Sequence, residues 1–397
     1  MSVNINKPAF FALIVYPVIL IFLLIHYILA YHIGWFEVIL FLLGYYISNI
    51  TVGVGLHRLW AHDTYKTNSA VELIFSLLSA GTLQGPALSW ASNHIDHHTY
   101  TDTENDPHSP LKYKSKLLGF LWSHMGWMLL GEGSYRSINR IAMVKLGSNK
   151  ILRWQFRYYW QIALIMNTVV PALVGITFGQ TFFAAYTGYL FIGLGRSLQQ
   201  QITFCVNSLC HFAGTQEYTK GTAGDIWWMA LFLLGENWHN YHHAFPTDYR
   251  NGAKWYQFDV HKWIIYLMSK LGLAWDLKRT PKIRVEAKVL QTIQQYNILR
   301  QNRLKLLQNK VHDLVENLHL KFSELDSCTA LKSKMLNSFS NAQSNLNMIK
   351  SQLNQRVKNL EGTSEKFLSS IAQKLDNIET SLQSLYLEFE KSKTFDK

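Results

Sequence analysis

Apolar positions are spread unevenly along the chain, and their pattern divides it in two. Four runs are apolar enough to cross the roughly 30 Å hydrocarbon layer of a bilayer, which takes about 20 helical residues. They cover Phe10–Tyr31, Phe36–Val54, Tyr158–Phe178 and Phe182–Val206. The first is read as a span rather than a cleavable signal peptide, because it is long, lacks a small-residue cleavage site and is followed at once by another span. A fifth run, Val71–Leu83, stays apolar for only about 13 residues before Gln84, Gly85 and Pro86, a length that suits a buried or interfacial helix. Ile226–Leu234 is shorter still.

Beyond Pro281 the period changes to heptads. Leu304, Leu307, Val311, Leu314, Leu318, Phe322 and Leu325 are spaced mostly by three and four. Leu368, Ile371, Leu375, Ile378, Leu382, Leu385 and Phe389 keep that alternation unbroken. Such a pattern predicts a coiled coil, formed within one chain or by self-association between chains. The stretch Ser323–Asn347 is Ser- and Asn-rich and can hinge it. The expected architecture is an all-α integral membrane protein with four transmembrane helices over residues 1–281 and a helical coiled-coil tail over residues 282–397.

Composition and charge sharpen this picture. Of 397 residues only 16% are charged, against about 25% in soluble domains, so an ordinary soluble enzyme is excluded. The net charge of +12 is shared evenly by the two parts, with no basic block interleaved with aromatics, which argues against nucleic acid as a partner. The links Tyr31–Trp35 and Gly179–Thr181 hold no Lys or Arg. If four spans alternate, Lys7, Arg58, Lys66, Lys112–Lys116, Arg136–Arg157, Lys220 and Arg250 all share the other side. The positive-inside rule makes that side the cytoplasm and puts both termini there. Arg196 alone sits within a span, where a charge faces protein or a cavity. Cys205, Cys210 and Cys328 form neither a disulfide framework nor a zinc spacing.

The sixteen histidines carry the candidate chemistry. His57 and His62 lie just past the second span in HRLWAH. His94, His97 and His98 form HIDHH, His211 ends NSLCH, and His239, His242 and His243 form HNYHH. The same span count that sorts the charges brings all nine to the cytoplasmic side. On a helix, positions i, i+3 and i+4 share a face, so each HxxHH presents three imidazoles to one side. His57 and His62 are about 140° apart on a straight α-helix, and need a helix end between them or two different metals. Nine imidazoles exceed one tetrahedral ion, which implies two metals, and imidazole suits Zn, Cu, Fe and Ni alike. His26, His32, His124 and His261 are read as ordinary interface or core residues. HExxH is absent, and the Glu-x-x-His pairs of bundle-type di-iron proteins fail, since the second such spacing, Glu316/His319, lies in the polar tail.

HRLWAH, HIDHH followed by NDPH, NSLCH and GENWHNYHHAFPTDY resemble the motifs of the membrane-bound fatty acyl desaturases, the delta-9 (stearoyl-type) branch in particular. The resemblance covers roughly Ala9–Lys278, and the tail has no counterpart in the usual members. It implies a cytoplasmic di-iron cap in which His57, His62, His94, His97, His98, His211, His239, His242 and His243 hold two iron ions, with Asn207 reaching one of them through water. It places Gln84, Thr203 and Phe204 where the acyl tunnel bends, Phe204 replacing the tryptophan usual in animal enzymes. The run QGPALSWASN departs from the animal pattern. It has Ser92 where an arginine contacts coenzyme A, and is more similar to bacterial and cyanobacterial members.

The implied reaction puts a cis double bond, at delta-9, into a fatty acyl substrate linked to coenzyme A, lipid or a carrier protein. An unactivated methylene has no acidic proton, so the oxidising power comes from iron and O2 as co-substrate, and no catalytic side chain beyond the ligands is expected. No HPGG-like haem motif is present. The electrons are therefore expected from a separate ferredoxin-like or small b-type cytochrome donor docking on the basic face. Two alternatives stand beside this reading: a di-iron fatty acyl or alkyl hydroxylase, told apart by an alcohol product, and a non-enzymatic scaffold, told apart by its lack of metal.

Overall fold

The computed structural model describes residues 5–131, 138–323, 330–357 and 365–395. Leu325, Cys328 and Arg136 lie outside the described residues, as do the side chains of Leu318, Phe322, Leu382, Leu385 and Phe389. The chain is almost wholly helical and divides into two compact units at Val289/Leu290.

Among the described residues of the first unit, three helices are long and apolar enough to cross a membrane: Lys7–Ala30, Trp35–Ala61 and Tyr159–Gly179. Their outward faces carry exposed Phe22, Leu29, Ile39, Leu164 and Phe178, as lipid contact requires. The helix Ala184–Asn207 is as long but less apolar, because Arg196 and a run of glutamines occupy its second half. It is buried against the second helix, where Gly44 meets the backbone of Ile192 and Gly195 meets the backbone of Phe41 and Tyr45. Small residues at such a crossing let two helices approach to backbone contact. Arg196 is buried and satisfied: its guanidinium donates to the carbonyl of Met166 and to Asn167 Oδ1 at 3.3 Å. Those groups end the helix Tyr159–Asn167, where Thr168 breaks the third span, so the buried charge closes a helix end. The short apolar run forms Ser69–Gly81, N-capped by Asn68, whose side chain accepts from Val71 N.

The second helix runs beyond the predicted Val54 and carries His57 within it. Its last stretch, Thr51–Ala61, is a π-helix with bonds to the fifth residue back. Ile226–Leu234 forms a short turn of helix with exposed Trp227, Trp228 and Leu231. The carbonyl of Phe232 accepts hydrogen bonds from Tyr45 Oη at 2.8 Å and Asn49 Nδ2 at 2.6 Å, so this apolar turn is pinned to the second helix.

The second unit holds most of Lys282–Ser323, together with Ala330–Val357 and Glu365–Phe395. Leu304, Leu307, Val311 and Leu314 from the first helix, Leu346, Ile349 and Leu353 from the second, and Leu368, Ile371 and Leu375 from the third form one buried core.

Candidate metal centre

The four histidine-bearing segments converge at the end of the second and fourth long helices. The π-helical stretch resolves the five-residue gap between His57 and His62. His62 N donates to His57 O at 3.1 Å, and the helix ends at His62. Residues five apart thus lie one above the other, with ring centroids 4.9 Å apart, instead of about 140° apart. His94, His97 and His98 project from Ala87–Tyr100, His211 from the turn Leu209–His211, and His239, His242 and His243 from His239–Ala244.

Within this cluster the ring nitrogens sort into two groups, each with its ligand atoms within 4.8 Å of one another. One contains His57, His62, His94, His98 and His242, the other His97, His211, His239 and His243. Each HxxHH is shared between the groups rather than spent on one. HIDHH sends two rings to the first and one to the second, while HNYHH does the reverse. His57 and His62 join the same group.

The donor chemistry can be tested ring by ring. His97 Nδ1 faces Asp106 Oδ1 at 3.0 Å, His57 Nδ1 lies 2.7 Å from Glu236 Oε2, and His211 Nδ1 lies 2.7 Å from Thr222 Oγ1. Thr222 gives its own proton to Asp102, so it accepts from His211. The carboxylate beside His97 and the hydroxyl beside His211, which already donates elsewhere, put hydrogen on both of those Nδ1 atoms and leave a lone pair on Nε2. Those lone pairs point at other imidazoles, His97 to His243 at 3.3 Å and His211 to His239 at 2.9 Å, and His57 Nε2 lies 3.0 Å from His242 Nε2. Six buried imidazoles and the half-buried His94, His98 and His243, gathered with Nε2 turned inward, fit metal cations.

Burial, reinforced by neighbouring imidazoles, holds His62, His94, His97, His98, His239, His242 and His243 well below the ordinary histidine value. Burial takes His211 down to about 3. These eight rings are neutral, which is the ligating form. Burial alone would raise the carboxyl of Glu236. His57 and Arg58, with a bond from His261, outweigh that and hold it low.

The outer groups are what motif reading missed. Glu236 binds Arg58 at 3.0 Å and His261 at 2.9 Å besides contacting His57, and Arg58 also meets Asp259 at 3.0 Å. His261, read as an ordinary core residue, thus belongs to the shell around the cluster. His124 bonds Ser208 at 2.9 Å, while His26 and His32 are exposed. His108, the last residue of NDPH, stacks on His97 with centroids 4.1 Å apart. The signal for Asp106 and Glu236 was their place inside the two longest motifs.

A cavity of about 790 Å³, its open mouth included, reaches the cluster. His94 and His239 line it together with Gln84, Thr203, Phe204 and Asn207. Gln84 Oε1 accepts from Trp90 Nε1 at 3.0 Å, and Trp90 stacks on His94. Ser92 is fully buried, its hydroxyl accepting from Asn139 N at 2.9 Å.

The sequence pattern of the fatty acid desaturase family matches residues 33–270. The chain belongs to that family. This desaturase-family chain is 38% identical over 259 residues to acyl-CoA desaturase 1 of Saccharomyces cerevisiae, covering 64% of this chain and 49% of that protein. It is 31% identical over 254 residues to delta-9 acyl-lipid desaturase 2 of Arabidopsis thaliana, covering 62% and 76%. It is 32% identical over 258 residues to acyl-CoA desaturase 3 of Mus musculus, covering 64% and 70%. The match spans about half the length of the two yeast relatives, 49% and 54%. The delta-9 resemblance read from the histidine motifs is thus the family of this membrane protein.

Proposed function

We propose that this chain is an O2-dependent di-iron desaturase that introduces a cis double bond, at delta-9, into a saturated fatty acyl chain. The observation that carries the reading is the pair of buried imidazole groups with Nε2 lone pairs turned inward at the end of a cavity between membrane-type helices. His57, His62, His94, His98 and His242 would hold one iron. His97, His211, His239 and His243 would hold the other, with Asn207 completing it through water. Bound iron supplies the oxidising power, drawn from O2, that an unactivated methylene requires.

The chain's own residues do the rest. Gln84, Thr203 and Phe204 shape the cavity that fixes which methylene lies beside the rings, and the surrounding apolar packing keeps water from the site. Two electrons come from a separate ferredoxin-like or small b-type cytochrome donor at the basic face. The proposal includes four crossings, the fourth being Ala184–Asn207. At 24 residues it is about 36 Å long, and Arg196, which lowers its apolarity, is buried against protein. With the basic residues cytoplasmic, both termini and all nine histidines are cytoplasmic.

Expression in a host lacking its own desaturase, with double-bond location in the extracted lipids, tests the activity. Alkenes at delta-9 are expected. Hydroxylated chains, or saturated lipid from a chain that carries two irons, would overturn it.

A further inference from the structure

The two imidazole groups are held from outside in different ways. In the five-histidine group, His57 leans on Glu236, which is itself fixed by Arg58 and His261. In the four-histidine group, one loop reaches two ligands that lie far apart in sequence. Asp106 Oδ1 faces His97 Nδ1 at 3.0 Å, and Asp106 Oδ2 accepts from Asp102 N at 3.3 Å. Asp102 then takes the backbone N–H of Thr222 at 2.9 Å and the hydroxyl proton of Thr222, whose oxygen receives His211 Nδ1 at 2.7 Å. Asp102 is held in a left-handed conformation at φ 65°. Among the described residues, no hydrogen bond joins Asp102, Asp106 or Thr222 to a ring of the five-histidine group.

We propose that Asp102 and Thr222 are positioning residues for one half of the centre: they lock the tautomer and orientation of His211, and so set the iron affinity of the four-histidine site alone. The proposal rests on the di-iron reading above. Its physical basis is the direction of one hydrogen bond. Because Asp102 accepts the Thr222 proton, Thr222 must accept from Nδ1–H, which keeps Nε2 bare for metal. Without the hydroxyl, Nδ1 has no partner and the ring loses both its tautomer and its aim. With Asn at 102, the amide N–H donates to Thr222, the hydroxyl turns its proton to Nδ1, and the hydrogen moves to Nε2, where it blocks the metal.

The test uses the full chain, purified in detergent and loaded with iron, equilibrated against graded chelator, with iron per chain and the Mössbauer spectrum read at each step. Thr222→Val keeps the shape and removes the hydroxyl, Thr222→Ser restores it, and Asp102→Asn reverses the bond. Groups that orient a metal-binding imidazole typically govern about 10–100-fold in affinity. Thr222→Val and Asp102→Asn should therefore release one of two irons at about 10–100-fold less chelator, with the other held as in the parent, and Thr222→Ser should match the parent. Release of both irons together, or no earlier release in either variant, would overturn the proposal even where the parent holds two irons. A parent that never holds two irons refutes the di-iron reading itself, and the proposal with it. Should Thr222→Val fail to fold, Asp102→Asn carries the same test.

Discussion

Gly44 and Gly195 set how closely the helices that bring His57 and Asn207 to the centre can approach. A Cβ added at Gly44 would stand 2.9 Å from both the Cα and the carbonyl carbon of Ile192, and nearer still to its oxygen. Carbon atoms pack at about 3.5 Å or more, so Gly44→Ala must push the two helices apart by at least about 0.6 Å. Neither partner atom belongs to a side chain, so no rotamer change relieves the contact. In an open helix the same change would stabilise by about 1 kcal/mol, whereas overpacking costs about 1–3 kcal/mol. The crossing therefore decides the sign, and a net loss of up to roughly 2 kcal/mol is expected. The larger effect falls on activity. A misplacement of about 1 Å can cost 10²-fold, so a shift of about 0.6 Å is expected to lower turnover on the order of tenfold. Thermal unfolding in detergent and turnover in a desaturase-deficient host read the two effects, with lipid-facing Leu42→Ala as a control expected to change little. Gly195→Ala, opposite Tyr45 N at 2.8 Å, should behave like Gly44→Ala. A Gly44→Ala protein as stable and as active as the parent would refute the reasoning.

Burial raises the Asp225 carboxyl to about 7, although it accepts from Asn240 N at 2.7 Å. The folded chain thus binds a proton that the unfolded chain gives up near pH 4, so this group's contribution falls as pH rises from about 4 to 7. Asp225→Asn should flatten that slope in pH-resolved unfolding, and an unchanged slope would show the charge to be tolerated. Substitutions that change size at Thr203 or Phe204 should move chain-length or bond-position preference more than total turnover, because methylene discrimination is worth about 1–3 kcal/mol; an unchanged product profile would place the acyl path elsewhere. Val285 and Val289 pack beside Tyr218, Tyr241 and Phe245, under the helix that holds His242. A chain cut after Val289 should keep iron and product, while one cut before Val285 should lose iron. Light scattering on the full and shortened forms should differ only by the lost mass, since the tail core closes within one chain.

Local sequence determined the apolar runs, the heptads and the nine histidines, because each is a matter of spacing along the chain. A metal centre was legible from HxxHH twice over, and so was the family. The division of the rings into five and four was not legible. It depends on where separate helices cross, and each HxxHH faces both groups at once. His57 and His62 show the limit most clearly: ideal α-helical geometry sets them apart, and a π-helical stretch, held in the packed fold, stacks them. The partners of the His211 ring lay equally out of reach, since Asp102 and Thr222 stand 120 residues apart. The sequence placed Arg196 within a span, facing protein or a cavity, and only folding supplied the partner, the open carbonyl end of another helix. Composition and period report what a segment must bury. The direction of a hydrogen bond between distant segments exists only once tertiary packing has placed both ends.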